Sequence, residues 1–378
     1  MRVVVAPDSL KGTATAAEAA RALAEGWRSI RPHDKIVLAP MADGGEGTVD
    51  AVAAAVPAAE LRRTRVTGPA TAAEVRDVDA RWLLLPPEPD GSRTALVELA
   101  EASGLLLLDE LAALTAHTLG FGQVIAEALA AGADRVLLAL GGSCSTDGGA
   151  GALRALGAEL LDADGATVRL GNAGLHHLAR LDLGTAIAPP AGGALVLSDV
   201  DNPLLGSRGA VAVFGPQKGL DASLAPDAER ALERFATAID PIGSLAATPG
   251  AGAAGGTGFG MLAWGATITS GSRAIADTIG LPGSIAGAQL VVTGEGRFDG
   301  QSAGGKAPVE VARRAAQAGV PCALVAGTID AGAGEASTAG FARAIALDGL
   351  AGSAAAAMAD PLTWLRAAGE RLAAEHGS

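Results

Sequence analysis

Only four lysines occur in this chain of 378 residues, and three of them touch a glycine: Leu10-Lys11-Gly12, Gln217-Lys218-Gly219 and Gly305-Lys306. A compact ammonium beside flexible backbone is suited to a phosphate or a carboxylate. Acidic side chains recur in similar glycine-rich settings. The densest is Ala288–Pro308, A-Q-L-V-V-T-G-E-G-R-F-D-G-Q-S-A-G-G-K-A-P, which carries Glu295, Arg297, Asp299 and Lys306 among Gly294, Gly296, Gly300, Gly304 and Gly305. Glycines let backbone N–H groups approach a ligand, and a helix N-terminus favours anions. Lys and Arg complement phosphate oxygens, while the two carboxylates suit a divalent metal. The chemistry indicated is phosphate handling.

Two familiar nucleotide patterns fail on inspection. Gly300 to Lys306 nearly spells a P-loop, but Ala307 stands where a Ser or Thr hydroxyl would meet Mg²⁺, and the strand predicted at Leu290-Val291-Val292 ends too early. Gly250-Ala-Gly252-Ala-Ala-Gly255 matches G-x-G-x-x-G formally, yet no strand precedes it and no βαβ frame surrounds it. These glycines are better read as allowing close packing or a substrate-facing turn.

The elements that must position these residues follow from periodicity. Arg2–Ala6 is a short β-branched run, read as a buried strand, that feeds Asp8, Ser9 and Lys11 into a polar loop. Thr15-x-x-Glu18 forms a capping box, and Ala16, Ala20, Leu23, Trp27 and Ile30 trace one apolar helix face. A second strand, Lys35–Ala39, leads to Asp43, Glu46 and a helix over Thr48–Val56. Two β-loop-α units of this kind place Asp8, Ser9, Lys11, Asp43 and Glu46 on one rim of a parallel sheet. From Leu61 onward, Arg65–Pro69, Asp79–Leu85 and Thr94–Ala100 read as a meander. The strand Arg135–Leu140 then opens the loop Gly141 to Gly151, with Gly142, Ser143 and Asp147. Residues 158–192 read as a peripheral insertion. In Ala194–Val200, a strand predicted to run into Asp199-Val200-Asp201-Asn202, period 2 places Asp199 and Asp201 on one side, as a cation or proton transfer would need. Pro308–Gly319 reads as a helix, Pro321–Ala326 as a strand, and Asp360-Pro361 as the start of a last helix.

Composition sets outer limits. With 28 basic and 41 acidic residues the net charge is −13, which argues against nucleic acid or anionic membrane as a partner. Apolar residues make up 49%, as in a globular protein of two or three domains. Cys144 and Cys322 are isolated thiols, fitting a reducing cytoplasm. The five histidines form no zinc spacing, and no apolar run reaches membrane-spanning length.

Eight motifs in order carry a resemblance. They are A-P-D-S-L-K-G (6–12), P-M-A-D-G-G-E-G-T (40–48), V-E-L-A-E-A-S-G-L (97–105), G-G-S-C-S-T-D-G-G-A-G (141–151), D-V-D-N-P-L (199–204), F-G-P-Q-K-G (214–219), G-A-G-A-A-G-G-T-G (250–258) and T-G-E-G-R-F-D-G-Q-S-A-G-G-K-A-P (293–308). Together they resemble the type-1 glycerate kinases of bacteria over nearly the whole chain. The resemblance implies ATP- and Mg²⁺-dependent phosphorylation of D-glycerate, usually on the 2-hydroxyl. It also implies two α/β domains: a Rossmann- or flavodoxin-like three-layer α/β/α domain with a parallel sheet, residues 1–65 plus 285–378, and an α/β domain of 66–284 inserted in it. The family usually has Thr-Asn before Asp147, where this chain has Ser145-Thr146. Around Thr118–Ile125 it also lacks a Tyr and an acidic residue often found there.

Expected roles follow from the chemistry. Phosphoryl transfer asks mainly for positioning and charge neutralisation. Asp201 or Asp199 is expected to take or orient the hydroxyl proton, with Lys306 as a third catalytic group. Asp8, Ser9, Lys11, Asn202 and Lys218 are expected at the small substrate. Gly294, Gly296, Arg297, Gly304, Gly305, Lys306, Gly141, Gly142 and Ser143 are expected at the nucleotide, and Asp43, Glu46 and Glu295 at the metal. The partners expected are small molecules, with the chain acting as a monomer or homodimer. Competing readings are a kinase for another small hydroxy acid, an NAD(P)-dependent dehydrogenase, and a non-catalytic sensor of a small acid.

Overall fold

The computed structural model describes residues 1–69, 76–299, 306–330 and 340–376. Along the chain the strands are β1 (Arg2–Pro7), β2 (Lys35–Leu38), β3 (Glu60–Thr67), β4 (Asp77–Leu84), β5 (Thr94–Glu98), β6 (Arg135–Ala139), β7 (Glu159–Leu161), β8 (Arg180–Asp182), β9 (Ala194–Leu197), β10 (Thr267–Thr269), β11 (Leu290–Phe298), β12 (Cys322–Ile329) and β13 (Arg343–Ala346). Two compact units emerge. One comprises Met1–Asp43, Asp50–Pro57 and Ser270–Ser378; the other comprises Gly44–Val49 and Ala58–Thr269. These seams differ from 65/66 and 284/285. β3 pairs with β4 along its whole length, and Ala276 and Ile285 are buried with Val291 and Leu324 of the first unit.

The first unit is a five-stranded parallel sheet in the order β13-β12-β11-β1-β2. Alternation along β1 explains its three layers. Val3 and Val5 join Leu23, Trp27, Leu365 and Leu372 on one face, while Val4 and Ala6 join Leu281, Val311 and Leu324 on the other. Each such buried valine or leucine contributes roughly 1.5–3 kcal/mol of transfer free energy. The helix Ala16–Ile30 starts at the expected capping box: Glu18 N–H donates to Thr15 Oγ1 at 3.2 Å, and Thr15 N–H donates to the Glu18 carboxylate at 2.9 Å. Its apolar face stops at Trp27, and Ile30 is half exposed rather than inward. The helix Pro361–Glu375 crosses it where both backbones come close. A β-carbon on Gly26 would lie 2.0 Å from Arg366 O, and one on Gly369 would lie 2.3 Å from Leu23 O.

The second unit is a six-stranded mixed sheet, β10-β9-β6-β5-β4-β3. β10, β9, β6 and β5 are parallel, and the predicted meander adds β4 and β3 antiparallel at one side. Phe121, Val124 and Ile125 of the helix Leu119–Ala130 share the core with Leu232 and Phe235 of the helix Ala225–Ile239. Phe235 meets Phe259 edge-on at 5.7 Å between ring centroids. Residues 158–192 are not peripheral. They carry the β7–β8 hairpin, and Leu160, Val168, Leu175 and Leu178 are buried in this same core. Among the described residues, no helix is long and apolar enough to cross a membrane.

Candidate functional site

In the first unit the chemistry gathers where β1 ends beside Gly294 of β11. Register pairs Pro7 with Gly294, and Asp8 N–H continues the ladder to Gly294 O at 2.8 Å. Asp8 is 8% exposed, and its carboxylate accepts Ser9 N–H at 2.6 Å. Burial, and then the nearby Asp43 carboxylate, push the Asp8 carboxyl up to about 8. Glu295 adds to that rise, while the Ser9 amide and Lys11 oppose it. Desolvation disfavours the anion, and neighbouring carboxylates compound the effect. Lys11 itself is exposed, on a backbone that runs beside Gly296.

β11 does not stop at Val292. It continues through Gly294, Glu295, Gly296, Arg297 and Phe298, because β12 pairs with it as far as Phe298 opposite Ile329. These residues are therefore fixed by a sheet rather than carried on a loop. Lys306 occupies the N-cap of the helix Ala307–Gln317, with Pro308 in its first turn, and its ammonium lies 4.0 Å from the Glu295 carboxylate. An ammonium there reinforces the anion preference of a helix N-terminus. Arg297 points to a more exposed partner, Asp330, at 2.7 Å. Gly304 and Gly305 lie outside the described residues.

The second unit builds a rim at the carboxyl ends of β6, β9 and β5, the side of an open parallel sheet where ligands bind. Gly141 follows β6, and its N–H donates to Gly44 O at 3.0 Å; Glu46 lies over Gly142. Glu98, at the end of β5, accepts Gly47 N–H and Val49 N–H, both at 2.8 Å. Asp147 is fully buried and accepts four bonds: Thr118 N–H and Thr118 O–H at 2.9 Å, Gly151 N–H at 3.1 Å and Gly149 N–H at 3.2 Å. That carboxylate fixes the fold of the Gly141–Gly151 loop. Beside it, burial holds His117 below its ordinary value, against the pull of Asp147.

Lys218, expected at the substrate, is 2% exposed. Its ammonium donates to Ser143 Oγ at 2.9 Å and to Ser145 O at 2.6 Å. The Gly250–Gly258 stretch packs onto the same loops. Gly252 N–H donates to Asn202 O at 2.9 Å, and Gly148 N–H donates to Gly255 O at 3.1 Å.

β9 ends at Leu197, so Asp199 and Asp201 lie beyond the strand and the period-2 argument for their shared side does not hold. Asp199 is half-buried. Asp201 is exposed, with both carboxylate oxygens 3.1 Å from Arg208 Nη2, while Asn202 Nδ2 donates to Arg208 O at 2.8 Å. An exposed pair of this kind is worth about 1 kcal/mol at most, so Arg208 is readily displaced.

The candidates thus fall into two sets. Asp8, Ser9, Lys11, Asp43, Gly294, Glu295, Gly296, Arg297 and Lys306 belong to the first unit. Glu46, Gly141, Gly142, Ser143, Asp199, Asp201, Asn202 and Lys218 belong to the second. Among the described residues, no three His, Cys, Asp or Glu side chains are grouped to hold a metal. Glu98 and Asp147 carry no expected role in the sequence. For Glu98 the available signal is a glutamate ending the otherwise apolar run Thr94-Ala-Leu-Val, which needs partners when buried.

Comparison with known proteins completes the picture. A family model described as the glycerate kinase family matches residues 3–376. Glycerate 2-kinase of Escherichia coli (strain K12) is 39% identical over 336 residues, covering 87% of this chain and 86% of that protein. An uncharacterized protein of Mycobacterium tuberculosis (strain CDC 1551 / Oshkosh) is 38% identical over 384 residues, covering 100% and 92%. A crystal structure from Salmonella typhimurium LT2 that carries the name glycerate kinase 2 superposes with a TM-score of 0.82 at 34% identity, covering 100% of this chain and 98% of that one.

Proposed function

The chain belongs to the glycerate kinase family, and from that premise we propose that it phosphorylates the 2-hydroxyl of D-glycerate with ATP, giving 2-phosphoglycerate. The observation that carries this reading is the family match over almost the entire chain, with a named glycerate 2-kinase among the relatives. The dehydrogenase reading is set aside: the Gly250 stretch follows the helix Ala225–Ile239 with no strand between them.

In the proposed reaction the glycerate hydroxyl oxygen bonds to the γ-phosphorus as the bond to the β–γ bridging oxygen breaks, and ADP leaves. Asp201 or Asp199 accepts or orients the hydroxyl proton. Lys306 and Arg297 neutralise phosphate charge; separately, holding the two substrates in line is worth about 7–11 kcal/mol. Lys11 and Ser9 hold the glycerate carboxylate, and Asp8 braces their turn through the Ser9 amide. Gly141, Gly142 and Ser143 offer backbone to the nucleotide.

Mg²⁺ fits this reading by charge, because burial first, and then the Asp43 and Glu295 carboxylates, raise the Asp8 carboxyl, and a cation would relieve the repulsion among these acids. Mg²⁺ commonly takes one or two carboxylates plus substrate phosphates, so a grouped triad is not required. Asp43, Glu46 and Glu295 are its candidate ligands, and bound Mg²⁺ would neutralise charge on the phosphates. The test is ADP release across D-glycerate, glycolate, lactate and other small hydroxy acids. Strong dependence on D-glycerate is expected; preference for another acid would move the substrate assignment, and no release with any acid would favour a sensor.

A further inference from the structure

One buried charge in the second unit is not used by the reaction scheme. The Lys218 ammonium sits between the Ser143–Ser145 loop and the turn at Ala254–Gly256. It donates to Ser143 Oγ and Ser145 O, and Ser143 Oγ in turn donates to Ala254 O at 3.2 Å. The turn is strained. Ala254 has φ +54, and among the described residues no other non-glycine has a positive φ. At Gly255 a β-carbon would lie 1.9 Å from Ser145 O and 2.8 Å from Lys218 Nζ. Left-handed backbone at a non-glycine persists only where its surroundings over-determine it, and such sites cluster at functional positions. Each end of this bonded chain borders residues already assigned to the site: Ser143 follows Gly141 and Gly142, and Gly252 holds Asn202 by its N–H.

We propose that Lys218 is a positioning residue of the kinase reaction, whose ammonium locks the Ser143–Ser145 loop to the left-handed turn at Ala254–Gly256 and touches no substrate. This rests on the glycerate kinase reading given above. Removing or deprotonating the ammonium leaves Ser145 O without its donor and frees the Ser143 hydroxyl from its fixed direction. Both loops then lose their shared geometry while the fold around them persists. Burial lowers the Lys218 ammonium to about 8; the Cys144 thiol and the Asp147 carboxylate face it and act in the opposite direction. The charged, locking form is therefore the one present below about pH 8, and it is lost above.

The test is steady-state kinetics of the full chain, with D-glycerate and ATP varied separately from pH 6 to 10, for the wild type, Lys218→Met, Lys218→Arg and Ser143→Ala. A positioning role predicts that Lys218→Met lowers kcat at least tenfold with both KM values within threefold. It also predicts that the variant loses the alkaline fall in kcat seen in the wild type, and that Lys218→Arg restores part of the rate. If Lys218→Met does not fold, Ser143→Ala serves. That variant removes one of the ammonium's two acceptors, so the alkaline fall must move to lower pH. A large rise in one KM with kcat intact would overturn the proposal in favour of direct contact. A folded variant with wild-type kcat and an unchanged alkaline limb would overturn it in favour of a purely structural role, as would an unmoved limb in Ser143→Ala. Because the chain has only four lysines, ¹³Cε-lysine NMR reads the Lys218 titration without any substrate. Wild-type protein inactive on D-glycerate but showing one lysine that titrates near pH 8, and shifts in Ser143→Ala, would sink the substrate reading and leave the buried lock standing. Absence of any lysine resonance that responds to Ser143→Ala would sink the lock.

Discussion

Asp147→Asn isolates what holds the loop that carries Gly141, Gly142 and Ser143. In the wild type, Oδ2 accepts Thr118 N–H, Thr118 O–H and Gly151 N–H, and Oδ1 accepts Gly149 N–H. An asparagine can keep its oxygen at the three-donor position, but its NH₂ then faces the Gly149 N–H, so one bond is replaced by donor against donor. The other three survive as neutral rather than charge-assisted bonds. A hydrogen bond to a charged group is worth roughly 1.5–3 kcal/mol against roughly 0.5–1.5 for a neutral one. Losing one charge-assisted bond and weakening three by about 1–1.5 kcal/mol each sums to about 4.5–7.5 kcal/mol of stability in the second unit. Urea unfolding followed by tryptophan fluorescence measures this, read on the transition that reports Trp82 and Trp264, which lie in that unit. A loss below about 1 kcal/mol would refute the claim that this carboxylate organises the loop.

Three further outcomes follow from the geometry. Asp8→Asn should become progressively more stable than the wild type as pH rises from 5 to 8. The wild-type carboxyl holds its proton in the folded state up to about 8 and releases it near the ordinary carboxylate value when unfolded, so wild-type stability falls through that window by at most about 1.4 kcal/mol per pH unit. Urea unfolding in EDTA at pH 5 and pH 8 checks this, and a pH-independent difference between the two proteins would contradict it. Asp201→Asn should lower turnover by about a hundredfold with ATP binding unchanged, the size expected of a general base; wild-type turnover at saturating substrates would remove Asp201 from that role. Gly255→Ala should cost at least ~2 kcal/mol, since alanine is strained at φ +66 and its β-carbon would meet Ser145 O. A thermal unfolding midpoint within a degree of wild type would show that the turn gives way freely.

Local rules made much of the first unit readable. The Thr15–Glu18 capping box fixes the start of the first helix, and the run Val3-Val4-Val5-Ala6 announces a strand buried on both faces. Long-range partners explain what was missed. Nothing near Val292 says that β11 continues to Phe298, because the pairing strand β12 supplies that information from Cys322 onward. Asp199 and Asp201 look like the end of a strand until β9 loses its neighbours' pairing at Leu197. Lysine between Gln217 and Gly219 reads as a contact to the small substrate, because lysine is seldom buried within a protein. Its acceptors, Ser143 Oγ and Ser145 O, lie more than seventy residues away. Residues 158–192 carry few local signals, yet they supply four leucine or valine side chains to the second core.

The measurement that bears most directly on the whole account is ³¹P NMR of the product formed from D-glycerate and ATP with Mg²⁺. The account predicts a new phosphomonoester resonance split into a doublet by the single hydrogen on carbon 2. A triplet from two hydrogens on carbon 3, or no new phosphomonoester at all, would contradict it.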